Sequence, residues 1–266
     1  KPGLEKVWAL RIKKGCVSIL TQPHKTEIMI KLIKPIVCAV LLLSFSSCGE
    51  DAAERETVAG SGLVTFTAVT GDTGTRNTQE GSFETGDAIG VFAIEPKTGV
   101  YWAVNNEYIY DGSTFKPATE ADNIIVTVGT DFDFYIYYPF KEGETDITSI
   151  SHSAGDQDEK SGWLSADFMT ATYTEPVLNY TIPLDFRHRL STVEVRIERN
   201  EGVREAAIEN VKRTSRFNLL TGEVVTDESR GNCRMYRYSQ QGDATTVFRV
   251  TVPAQTLTTS SNYVTL

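Results

Sequence analysis

The sequence predicts an all-β protein, and three observations carry that reading. From Leu63 onward, short runs of β-branched and aromatic residues alternate with clusters of Gly, Pro, Asn, Asp and Ser, the pattern of strands joined by turns in a sandwich. Beyond residue 47, apolar residues nowhere hold a 3.6-residue period over twelve positions, so no amphipathic helix is expected. Two of the runs stop at a proline, Pro139 and Pro253, which has no N–H to give to a ladder.

In chain order, the first 47 residues stand outside the fold. Lys1 is no initiator, and residues 1–28 are expected to be a non-native upstream extension ahead of Met29. Residues 29–47 carry Lys31 and Lys34, then the nearly unbroken apolar run Ile36 to Phe45. That run is too short to span a bilayer, which takes about 20 apolar residues, but it fits the core of a secretory signal peptide. Phe45-Ser-Ser-Cys48-Gly49 resembles a bacterial lipoprotein lipobox, with Phe45 where Leu is usual. The resemblance implies that Cys48 is acylated, palmitate-type, and becomes the mature N-terminus. An ordinary signal peptide with an incidental Cys48 is the alternative. Residues 48–62 are acidic and end in Gly60-Ser-Gly62, which suits a flexible tether.

Leu63 to Thr70 alternates as a strand, and Gly71 to Gly81 is a turn-rich loop containing Arg76. Ala88 to Ile94 is continuously apolar and bounded by turn residues, as in a strand buried on both faces. Strands are also expected at Glu107–Tyr110, Asn123–Val128 and Phe132–Tyr138. A polar interval, Lys141 to Lys160, precedes further strands at Tyr180–Phe186, Thr192–Ile197, Glu209–Val211 and Arg216–Leu220. Thr221-Gly222 then turns the chain into Glu223-Val-Val225 as a hairpin, and Thr245 to Val252 alternates again. The two clusters of strands predict two sandwiches, residues 63–180 and 181–266. Asn262 to Leu266 reads as the opening of a strand, so the second sandwich is expected to be truncated at its C-terminal end.

Charge and cysteine usage narrow the partners. The chain has 26 Lys+Arg and 35 Asp+Glu. Residues 1–47 hold eight of those bases and two of the acids, which leaves 18 and 33 from Cys48 onward, a net of −15. Such a surface repels phosphate backbones, so no nucleic-acid partner is expected. Of the four cysteines, Cys16 and Cys38 fall in the leader and Cys48 would carry lipid. Cys233 is then alone, with no intramolecular disulfide available.

Several segments together resemble one family. These are the opening strand with its Thr-Arg loop, Phe83-Glu-Thr-Gly-Asp-Ala-Ile-Gly-Val-Phe-Ala93, Phe134 to Phe140 ending in Tyr-Tyr-Pro-Phe, and Leu184 to Ile197 with its Arg-His-Arg-Leu. In order and spacing, residues 48–266 resemble the fimbrillin-like lipoproteins, fimbrial subunits of gut and oral Gram-negative bacteria. The resemblance implies two tandem transthyretin-like β-sandwiches and a place on the outer face of the cell outer membrane, or in a fimbria once processed. It implies partners as well. Other pilin subunits would join by donor-strand exchange, the outer membrane would hold the N-terminal lipid, and host or bacterial surface molecules would be the ligands. In pilus-forming members an arginine-specific protease removes the tether and first strand. The matching position here is Arg76, with Asn77 as the new N-terminus. A solvated loop arginine in an uncleaved relative is the alternative, and Arg55 in the tether is also accessible.

Catalysis, metals and cofactors find no pattern. His152 and His188 are far apart, with no triad partner visible near either. Cys233 has no neighbouring His-Asp signature. Asp156-Gln-Asp-Glu159 lacks the Gly and Glu spacing of a calcium loop and reads as a solvated acidic loop. Tyr101, Trp102, Tyr108 and Tyr110 are candidate adhesive aromatics if exposed and core if buried. The expected function is that of a surface-exposed structural or adhesive pilus subunit and not of an enzyme. A cell-surface glycan-binding lipoprotein of a polysaccharide uptake system is the alternative.

Overall fold

The computed structural model describes residues 60–69, 83–198, 202–239, 245–258 and 261–266. Within them the regular secondary structure is almost all strand. β1 (Ser61–Leu63), β2 (Thr65–Ala68), β3 (Ala88–Ile94), β4 (Tyr101–Tyr110), β5 (Phe115–Pro117), β6 (Ile125–Thr127) and β7 (Asp133–Tyr138) come first. After them come β8 (Ile150–Ser153), the short helix α1 (Lys160–Ser165), β9 (Met169–Tyr173), β10 (Thr181–Leu184) and β11 (Arg187–His188). The remainder forms β12 (Ser191–Glu198), β13 (Ala207–Lys212), β14 (Thr214–Phe217), β15 (Val224–Thr226) and β16 (Arg230–Arg234), then β17 (Tyr236–Arg237), β18 (Thr245–Val252) and β19 (Val264–Thr265).

The largest sheet has eight strands in the order β10-β2-β5-β4-β3-β7-β9-β11. Its two edge strands, β10 and β11, are separated in sequence only by Asp185 and Phe186. Eight strands laid flat would set the edges roughly 34 Å apart, whereas the step from Leu184 to Arg187 reaches at most about 11 Å. The sheet therefore curls until its edges meet, and the curl encloses an aromatic core. Phe66, Tyr108, Phe115, Phe134 and Phe186 are all buried in that core, among aliphatic side chains such as Ile89, Val91 and Ile136.

The expectation that Ala88–Ile94 is buried on both faces holds, and the reason lies in a second layer. Ile89, Val91 and Ala93 face the curled core. Phe92 points the other way, with Tyr137 and Phe168, onto Ile147, Ile150, Phe217 and Leu219. Phe168 stacks on Phe217 with ring centres 4.0 Å apart. Gly90 is required here, because a Cβ at that position would lie 2.2 Å from the Tyr137 ring. The layer over this face is the three-stranded sheet β15-β14-β8, whose β14–β15 pairing is the hairpin expected around Thr221-Gly222.

Two further three-stranded sheets, β12-β18-β17 and β16-β13-β19, face each other across Ile208, Val211, Cys233, Met235, Phe248 and Val250. Strand pairing does not change at residue 180. β10 and β11 complete the first sheet, while β8, from inside the expected polar interval, pairs with β14. That interval hides structure for a physical reason: β8 reads Ile-Ser-His-Ser, with a single aliphatic residue to mark it.

Candidate functional site

The N-terminal strand lies in a slot. β1 pairs with β6, with Gly62 opposite Val126, and β2 continues between β10 and β5. The β2–β10 pairing is parallel, Phe66 against Ile182, in a sheet whose other pairings are antiparallel. Hydrogen bonds run along both flanks. Val64 N donates to Ile124 O at 2.9 Å, Thr65 N to Tyr180 O at 2.8 Å, and Val69 N to Leu184 O at 2.8 Å. The inward side chains Val64 and Phe66 are fully buried, and Phe66 meets Tyr108 and Phe134 edge-on at 5.1 and 5.6 Å.

The strand starts earlier than expected, at Ser61 inside the predicted tether. Gly62, which the sequence places in a linker, serves packing. A Cβ there would lie 2.7 Å from the Tyr180 ring, whose hydroxyl donates to Gly60 O. Removing residues 60–69 would strip hydrogen bonds from β10, β5 and β6 and open the aromatic core to water. A segment of this kind fills an acceptor groove, and alternate inward side chains set its register.

Cys48, Arg76 and Asn77 lie outside the described residues. The residues flanking the Arg76 loop are described. Val69 is exposed, whereas Phe83 packs among Phe115, Tyr138 and Phe186, with ring centres 4.9, 5.4 and 5.0 Å away. A cut between Arg76 and Asn77 would sever β2 covalently from everything after it.

The candidate adhesive aromatics separate into two groups. Tyr101 and Trp102 stand exposed on β4, Trp102 at 57%, beside exposed Val100 and Val104. The Trp102 indole rests edge-on against Phe132 at 5.1 Å. Tyr108 is fully buried, so it belongs to the core and leaves the adhesive set. Tyr110 is half-buried against Phe83 and Phe115. The sequence alternation cannot separate these pairs, because β4 changes register between its ends, where Asn105 takes a φ of 56°.

The titratable groups outside the slot tie elements together. His188 Nδ1 lies 2.8 Å from Asp167 Oδ2, linking β11 to the residue that leads into β9. His152 Nε2 is placed to donate to Ala166 O at 2.9 Å, and its ring packs on Phe168. Burial lowers the His152 pKa. The Cys233 thiol donates to Gly155 O at 2.9 Å, and burial pushes its pKa up to about 11. A thiol held protonated in this way is a poor nucleophile.

The acidic run 156–159 is not a solvated loop throughout. Gln157 is fully buried and acts as a strand substitute: its amide accepts from Thr251 N at 2.8 Å and donates to Thr251 O at 2.7 Å. Asp156 and Asp158 both pair with Arg234. Gln157 gave no signal in the sequence, since a glutamine between two acids is normally exposed. Among the described residues, no cluster of His, Cys, Asp and Glu could hold a metal ion.

A curled, aromatic-cored sheet carrying a second layer and a smaller sandwich defines the class: a multi-sheet β-sandwich protein. The architecture recurs in a candidate cell adhesion protein from Bacteroides ovatus, with a TM-score of 0.54 and 16% identity over 71% of this chain and 76% of that one. A candidate cell adhesion protein from Bacteroides uniformis gives a TM-score of 0.53 and 19% identity over 73% of this chain and 76% of that one. At these identities the likeness is one of fold. Curated proteins give no match. The family model described as Fimbrillin-like matches residues 75–266, and the chain belongs to the fimbrillin-like family.

Proposed function

We propose that the protein is a structural or adhesive subunit of a surface pilus, tethered to the outer membrane by lipid on Cys48 and assembled by donor-strand exchange. The observation that carries the reading is the N-terminal strand in its slot, with Val64 and Phe66 fully buried and β2 held between β10 and β5. Membership of the fimbrillin-like family supports it. On this reading, cleavage after Arg76 leaves β2 held only by non-covalent contacts. Its departure exposes backbone groups on two strands and a row of pockets, and a strand from a neighbouring subunit fills them. Head-to-tail filling of this kind propagates as an open filament.

Treating cells or the purified lipoprotein with an arginine-specific protease tests the proposal. A product beginning at Asn77, with an SDS-resistant ladder and filaments in the microscope, is the expected result. A product beginning elsewhere removes Arg76 as the processing site, and a monomeric product without filaments removes the assembly step. A second reading, a glycan-binding surface lipoprotein, draws on the exposed Tyr101 and Trp102, whose ring faces could stack on sugars. Polysaccharide that retards the protein in affinity gels, lost on Trp102→Ala and unaccompanied by a ladder, would favour it.

A further inference from the structure

The slot that holds the N-terminal strand does not treat all its inward positions alike. At Gly62 it is closed by a side chain. A Cβ there would lie 2.7, 2.7 and 2.8 Å from Cε2, Cζ and Cδ2 of Tyr180, well inside the spacing of about 3.5–4.0 Å at which carbon atoms rest. The ring is not free to step aside. It packs against the first core, and its backbone is pinned on both sides. Three residues earlier, fully buried Val177 accepts from Gly129 N at 2.8 Å and donates to Thr130 O at 3.2 Å. Directly after it β10 begins, and Thr181 N donates to Asn179 Oδ1 at 3.2 Å.

Farther along, the slot asks for size instead. Val64 is fully buried, and Phe66 is enclosed by Tyr108 and Phe134 and stands opposite Phe115 and Ile182 in its two ladders. Ala68, next in the same alternation, packs partly buried on the same core. The residues between are held loosely: Leu63 is 42% exposed, and Thr65 and Thr67 are half-buried. Direction is fixed as well. Thr65 N donates to Tyr180 O and Val69 N to Leu184 O, both at 2.8 Å, so the occupant runs parallel to β10. A strand of opposite polarity would carry its aromatic toward Tyr180 and its glycine toward Phe134.

We propose that Tyr180 is the specificity gate of this slot. It admits a strand with glycine under its ring, followed at alternate residues by an aliphatic and an aromatic side chain, Gly-x-Val-x-Phe in the direction of β10. The gate bears on assembly only under the donor-strand reading above, and there it specifies the partner: a neighbouring subunit must present this pattern and not merely an alternating apolar strand. Alternation sets the register of any strand added to a sheet. The Tyr180 ring adds rejection by clash at one position, which is how a site discriminates among partners that share the attractive contacts.

Competition among peptides tests the gate. The full chain is cut with an arginine-specific protease and offered a labelled peptide of residues 60–69, with unlabelled variants as competitors. The Gly62→Ala peptide should need at least about tenfold more to displace the label than the parent peptide, and the Leu63→Ala peptide less than about threefold more. On protein carrying Tyr180→Ala the Gly62→Ala penalty should fall below about threefold, whereas Tyr180→Phe, which keeps the ring, should retain it. Equal competition by the Gly62→Ala peptide on the parent protein overturns the gate, as does a penalty unchanged by Tyr180→Ala. Cut protein that takes up no peptide at all counts against the donor-strand reading, and the gate is then decided in the uncut chain. There Gly62→Ala should lower the folding equilibrium constant about tenfold, and less than about threefold when Tyr180→Ala is already present. The same loss in both backgrounds overturns the proposal.

Discussion

Two of the three hydrophobic cores among the described residues are closed by different means. The first is built from aromatics inside a sheet that curls until β10 and β11 meet, and its last gap is filled by the N-terminal strand. The second is smaller and mostly aliphatic, and the β12 residues Val193, Val195 and Ile197 that pack against it are only partly buried. Closure by a strand remote in sequence makes the first core complete but dependent on that strand. The second core depends less on any one segment. Between them, Gln157 and the Phe168–Phe217 stack tie one half to the other.

The largest effect should come from the strand in the slot. Phe66→Ala removes a fully buried ring and is expected to cost about 3–5 kcal/mol in chemical denaturation. A loss below 1 kcal/mol would mean that the first core does not need its N-terminal strand. Gln157→Leu leaves the N–H and C=O of Thr251 unpaired in a buried setting. About 2 kcal/mol or more should be lost, with Cys233 gaining reactivity toward thiol reagents as the clasp loosens. Gly62→Ala drives a methyl group into the Tyr180 ring, and about 1–3 kcal/mol is expected, as for other overpacked sites. Hydrogen exchange should show the opening confined to β1, β2, β6 and β10.

The junction between the cores should respond to acid. Burial lowers the His152 pKa in the folded chain, whereas the unfolded chain takes up its proton near the ordinary value of about 6.5. The stability held by neutral His152 is therefore present above that value and falls as pH drops below it. Denaturation midpoints measured between pH 7 and pH 5 should decline, and His152→Gln should flatten that slope. The smallest effect belongs to the second core. Val195→Ala should cost about 1 kcal/mol, since the side chain is small and only partly buried. A loss above about 2 kcal/mol in chemical denaturation would show that Val195 is packed as tightly as a fully buried core residue.

Strands with strong alternation or a full apolar run were legible in advance: β3 matches Ala88–Ile94 residue for residue, and β18 matches Thr245–Val252. β8, β16 and β17 were not, because short strands rich in Ser, Arg, Gly and Asn carry little pattern of their own. The helix α1, six residues long, is too short to establish a period. At the candidate site, the strand and its alternation could be read from the residues. Its neighbours could not: no local signal says that Thr65 lies against Thr181, 116 residues away.

The sequence by itself determined the all-β class, the inward side chains of the first strand and the acidic character of everything after Cys48, because alternation and charge are local properties. Tertiary structure alone decided which edges close. It bent the first sheet into contact with itself, placed Gly62 under Tyr180, and buried Tyr108 while leaving Trp102 in water. Each of these depends on which distant strand supplies the missing hydrogen bonds, and strands far apart in sequence leave no mark of their pairing in either segment alone.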